Sequence, residues 1–66
     1  VSDVSTLTRI EDDLLRAGFE YRRRVWDAYD LWDGPSGQFA HVWTRRVAFY
    51  ERGPSGVAVL VRKVTW

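Results

Sequence analysis

Residues 19–33, FEYRRRVWDAYDLWD, decide the fold, because they read either as a second helix or as a long strand. On a helix, Tyr21, Val25, Ala28, Tyr29 and Trp32 would share one face. The stretch lacks a Ser, Thr, Asp or Asn near Phe19 to cap such a helix. As a strand it is rich in β-formers but alternates poorly. Length favours the strand: Glu20–Trp32 and Phe39–Glu51 are each thirteen residues long and can pair along their whole length.

The tetrapeptide Gly-Pro-Ser-Gly follows at residues 34–37 and recurs at 53–56. Pro at the second turn position and a left-handed Gly at the fourth suit a type I turn closing a three-residue hairpin loop. The two turns set a register. Gly34 faces Gln38, which places Tyr29 opposite Trp43, Asp27 opposite Arg45, Trp26 opposite Arg46 and Val25 opposite Val47. Gly53 faces Val57, which places Tyr50 opposite Leu60, Phe49 opposite Val61 and Arg46 opposite Val64. These are aromatic, opposite-charge, cation–ring and β-branched pairs, each favourable across strands.

Upstream, Val4, Leu7, Ile10, Leu14 and Ala17 recur at helical spacing, giving one amphipathic helix over about 3–17. Ser2 or Ser5 serves as its N-cap, and Gly18 with Phe19 supplies a Schellman stop. The expected fold is α+β in a single domain, 1–66. One N-terminal helix packs on a three-stranded antiparallel meander with strands at about 19–33, 38–52 and 57–66. The alternative is α-α-β-β with a two-stranded hairpin.

A chain of 66 residues buries only about 60% of its unfolded surface and needs added support. With no cysteine and one histidine, neither a disulfide nor a Cys/His zinc site supplies it. Four Trp, three Tyr and three Phe remain, together with self-association. The expectations are a cytoplasmic protein with no membrane span, cofactor or metal, an accessory protein of bacterial or phage type that forms a homo-oligomer. The net charge of +1 is uneven, with −2 over residues 1–18 and +3 over 19–66.

In a continuous meander the odd-numbered residues Val25, Tyr29, Leu31, Phe39, Trp43, Val47, Phe49, Val57, Val59 and Val61 form the core under the helix. The even-numbered face carries Arg22, Arg24, Trp26, Trp32, Arg46, Tyr50, Arg62 and Trp66. Trp, Tyr and Arg are the side chains that dominate protein interfaces, so these eight are the candidate partner-binding residues. The expected function is a small non-enzymatic binding protein that uses this face on another protein or on a second copy of itself, and so inhibits or regulates a larger partner. Interleaved Arg and aromatic residues also suit nucleic acid, which is the alternative.

Catalytic chemistry has little to stand on. His41 has no nucleophile beside it and falls on the expected core face. Asp27, Asp30 and Asp33 alternate faces on a strand and cannot converge on a metal. Leu14-Leu15-Arg16-Ala17-Gly18-Phe19, a helix end running into a meander, is similar to the opening of the HicA-like ribonuclease toxins, which have the double-stranded-RNA-binding topology. That resemblance implies a small ribonuclease-toxin-like fold with a Gly-Ser-His at the second strand and a closing helix. Here Ser36-Gly37-Gln38 stands in the motif's place, and the chain reads as a strand up to Trp66.

Overall fold

The computed structural model describes residues 3–66. Helix α1 spans Asp3–Arg16 and is followed by five strands: β1 Glu20–Val25, β2 Tyr29–Asp33, β3 Gln38–Val42, β4 Arg46–Arg52 and β5 Ala58–Thr65. They form one antiparallel meander in sequence order. The α+β class, with a single helix on an antiparallel sheet, is as the sequence indicates, but the sheet has five strands rather than three. Capping by Ser2 lies outside the described residues, as do the side chains of Val4 and Ser5.

The helix ends as its residues dictate. Gly18 takes φ +91°, the Phe19 N–H donates to the Leu14 carbonyl at 2.9 Å, and the Gly18 N–H donates to that of Leu15 at 3.1 Å. This is the Schellman pair of bonds, and it turns Phe19 back into the core. Both Gly-Pro-Ser-Gly segments close hairpins. The Gly34 N–H donates to the Gln38 carbonyl at 2.8 Å and the Gly53 N–H to that of Val57 at 2.9 Å. In the first, Ser36 joins Gly37 in the left-handed region, so that turn departs from type I.

Two further turns break what the sequence presents as continuous strands. Trp26 and Asp27 both adopt left-handed backbone, φ 50° and 52°, and the Ala28 N–H closes on the Val25 carbonyl. Thr44 and Arg45 form a second tight turn, closed by the Trp43 N–H on the Arg46 carbonyl. The long strands 19–33 and 38–52 are therefore each a hairpin. Tyr29 still meets Trp43, with ring centroids 5.2 Å apart, but Asp27, Trp26 and Val25 do not face Arg45, Arg46 and Val47.

The turn at Thr44–Arg45 also exchanges the faces. In one continuous strand Val42 and Val47 would point to opposite sides; across a two-residue loop they become direct partners on the same side. The core consequently holds even residues of β2 and β3 and odd residues of β4. Leu14, Phe19, Trp32, Ala40, Val42 and Val47 are its buried members, with Leu7, Ile10, Phe49, Val64 and Trp66 packed against them. Of the expected odd-numbered core, only Val47 and Phe49 belong there.

Tyr50 faces Leu60 as the turn predicts. Beyond it an extra residue, Val61, enters β5, so Phe49 faces Arg62 and Arg46 faces Thr65. A bulge of this kind shifts every later residue by one position.

Candidate binding face and its tryptophan end

With α1 over one side of the sheet, the register fixes what the other side carries. Leu31, His41, Ala48 and Lys63 form one cross-strand row, and Asp33, Phe39, Tyr50 and Leu60 the next. No described element lies over this side. Its centre is a connected set of rings around His41. Tyr29 stacks on the imidazole at 4.3 Å and 25°, and Tyr50, Phe39 and Trp43 lie at 4.7, 5.5 and 6.0 Å. Phe39 and Tyr50 stack in turn at 5.2 Å and 13°. Beneath them Ala48 is only 3% exposed, since the rings shield its methyl group.

Arginines edge this group. The Arg46 guanidinium sits 4.2 Å from the Trp43 ring centre and that of Arg52 sits 5.3 Å from Phe39. Their stems cover ring surface while the charged ends face water. Tyr29 on His41 and Phe39 on Tyr50 are stacked face to face, and Trp43 and Phe39 also carry a guanidinium group. His41 is half-buried among them, and this loss of water holds its pKa below the ordinary 6.5. Its neutral form is thereby favoured.

Strand direction sorts the turns between two ends of the sheet. Both Gly-Pro-Ser-Gly turns lie at one end. The other end gathers the turn carrying Trp26, the turn beginning at Trp43, and Trp66 after β5. Trp66 is tied there by two bonds: its N–H donates to the Arg45 carbonyl at 3.0 Å, and its carbonyl accepts from Arg45 Nε at 3.2 Å. Trp26 is 94% exposed. A wholly exposed indole on a left-handed turn is doubly costly, in hydration and in backbone strain of about 1–3 kcal/mol.

The eight residues expected to share one face do not. Trp32 is 5% exposed and belongs to the core beneath α1, where its ring meets that of Tyr21 edge-on at 5.6 Å. Trp66 is half-buried against the same core, and Arg62 lies on that side with its guanidinium over Phe49 at 4.7 Å. Arg24 pairs with Asp30 at 3.3 Å and also donates to the Asp27 carbonyl, bracing the Trp26 turn. Arg22 occupies the β1 bulge, paired with Asp33. Only Arg46 and Tyr50 stand on the open face, with Trp26 at its end.

Tyr29, Phe39, His41, Trp43 and Arg52 are the open-face residues that the sequence reading misses, because it assigns the first four to the core. Their mutual proximity was visible in the Gly34–Gln38 register; which side the helix covers was not. Asp30 and Asp33 are each engaged by an arginine, and no group of three or more His, Cys, Asp or Glu among the described residues is placed to hold a metal. The chain is thus a small domain with an exposed sheet face bearing Trp and Arg, suited to contact with protein or nucleic acid. No described helix is long and apolar enough to cross a membrane. Comparison with protein-family models, curated proteins and solved structures finds no match to this chain.

Proposed function

We propose that this chain is a non-enzymatic protein-binding domain whose contact surface is the open aromatic face, from Tyr50 to the Trp26 turn. The observation that carries the reading is Trp26, an almost fully exposed indole held on a left-handed backbone. Folding gains nothing from that arrangement, whereas an indole entering a pocket on a partner is a common source of interface affinity. The rest of the face fits the same use: rigid rings with few degrees of freedom and arginines whose stems are already in place. Inhibition or regulation of a larger protein is the role such a surface suits.

Nucleic acid is the second reading, favoured by Arg46 and Arg52 over the rings. Against it, Tyr29, Phe39 and Tyr50 are stacked on neighbours rather than turned outward, so bases have few open ring faces to stack on.

A photo-reactive residue placed at Tyr50 separates the two. The reading expects it to capture protein from extract of the native host, with capture lost on adding Trp26→Asn and absent when the probe replaces Asp12 on the far side of α1. Capture of RNA or DNA instead, together with oligonucleotide affinity that falls steeply with salt, would overturn it.

A further inference from the structure

We infer that two copies of this chain join edge to edge through Val57 and the first four residues of β5, Ala58 to Val61, across a two-fold axis at Val59. The inference deepens the reading of a binding domain by naming a second copy as one partner. It rests on the sheet edge rather than on the aromatic face, so the two fail separately.

The two outer strands are treated differently. At β1, Arg22, Arg23 and Arg24, the bulge between Tyr21 and Arg23 and the ion pairs to Asp33 and Asp30 blunt the edge. These are the usual devices against strand pairing. On β5 the charges Arg62 and Lys63 lie in the second half, and the bulge at Val61 falls only at the last residue of the 57–61 segment. The first half carries neither charge nor proline, and Val57, Val59, Leu60 and Val61 are 62, 55, 52 and 59% exposed. Their side chains occupy both faces of the strand, so neither α1 nor the ring cluster shields them.

Backbone geometry and sequence select the same register. The Val57 carbonyl accepts from Gly53, so Val57 points inward to β4. Alternation then points Val59 inward and the N–H and C=O groups of Ala58 and Leu60 outward. An axis at Val59 sets Ala58 against Leu60 of a second copy, matching outward groups with outward groups. It also sets Val57 against Val61 and small Ala against large Leu. The segment Val-Ala-Val-Leu-Val is self-complementary about its centre, as an isologous contact requires. Arg62 and Lys63 of the two copies fall at opposite ends of the seam and do not meet.

The surface area also points to a second copy. A monomer of 7.7 kDa is expected to expose about 4,300 Å², whereas this chain exposes 4798 Å². A groove of about 500 Å³ lies between α1 and the sheet, with Ile10, Asp13 and Ala17 on one wall and Val61 and Arg62 of β5 on the other. A two-fold axis normal to the sheet keeps both helices on one side. Both aromatic faces then lie together on the other side of a continuous sheet.

The chain has no cysteine, so a single introduced thiol reports directly. In the Val59→Cys chain the two thiols face each other with Cα atoms about 4.5 Å apart, within disulfide reach. In the Val57→Cys chain they are about 13 Å apart along the seam. Mild oxidation is expected to give nearly complete covalent dimer for Val59→Cys and none for Val57→Cys. Sedimentation of the wild-type chain is expected to give twice 7.7 kDa, reverting to monomer in the folded Leu60→Glu variant. A wild-type monomer at all concentrations, cross-linking of both cysteine variants alike, or a dimer that survives Leu60→Glu would overturn the inference. Open-face capture from position 50 is read in the two cysteine chains, whose substitutions alternate with Leu60 and lie on the α1 side of the sheet, and it is unaffected by any of these results.

Discussion

The Tyr29 and His41 rings stack at 4.3 Å across β2 and β3, and that contact is part of the burial that shields the chain's one histidine from water. An imidazole enclosed by three or four rings loses water that would solvate its charge, so its pKa lies below 6.5. The unfolded chain therefore binds this proton more readily than the folded one. As pH falls through 6.5 toward the folded-state value, the fold loses stability; above 6.5 the histidine is neutral in both states and has no effect. Denaturant midpoints on either side of 6.5 should show this loss, and His41→Phe should remove it from that window.

Trp26 should be dispensable for folding and required for binding. Asn tolerates left-handed backbone that Trp does not. Trp26→Asn is expected to raise stability by about 1 kcal/mol, seen as a higher denaturant midpoint, while partner capture is lost.

Trp32 should behave in the opposite way. It is 5% exposed and its indole N–H finds no acceptor among the described residues. Trp32→Ala should cost about 3–5 kcal/mol, much of the stability available to a domain this small. Trp32→Phe leaves a smaller void and removes the unpaired donor, whose burial costs about 1–3 kcal/mol, so its net cost should be far less. Thermal unfolding of the two variants checks the difference.

Gly34 and Gly56 should separate crowding from backbone strain. Gly56 has φ +83° and open space around it, so Ala there should cost only the left-handed penalty of about 1–2 kcal/mol. Gly34 has ordinary φ, but a Cβ would lie 2.5 Å from Cε2 of Phe19. Gly34→Ala must displace a buried ring, and about 3 kcal/mol is expected from chemical denaturation.

How much of this was legible follows from where the chain carries local signals. The helix stripe through Leu7, Ile10 and Leu14, the stop at Gly18 and the hairpins at Gly34 and Gly53 are each written in residue types with one strong preference. The register from those hairpins holds up to Tyr29–Trp43 and Tyr50–Leu60. The turns at Trp26–Asp27 and Thr44–Arg45 contain neither Gly nor Pro, and at the first a β-prone indole adopts left-handed backbone against its preference. The loop at 26–28 leaves Val25 and Tyr29 on one side, but the bulge at Arg22 turns the odd residues of β2 and β3 away from α1, so Trp32 lies in the core and His41 outside it, and the two-residue loop at Thr44–Arg45 then exchanges the faces again. The bulge at Val61 is equally silent, since a run of Val and Leu looks the same in either register. Arg46 and Tyr50 kept their place because two errors of parity cancelled at β4.

The assignment of sides to the sheet underlies every role given above, and nuclear Overhauser contacts from the His41 ring test it most directly. The imidazole protons should show contacts to Tyr29 and Tyr50 and none to α1, while the Trp32 indole shows contacts to Leu14. Contacts from His41 to Leu14 or Ile10, with Trp32 free of the helix, would place the rings beneath α1 and contradict the account.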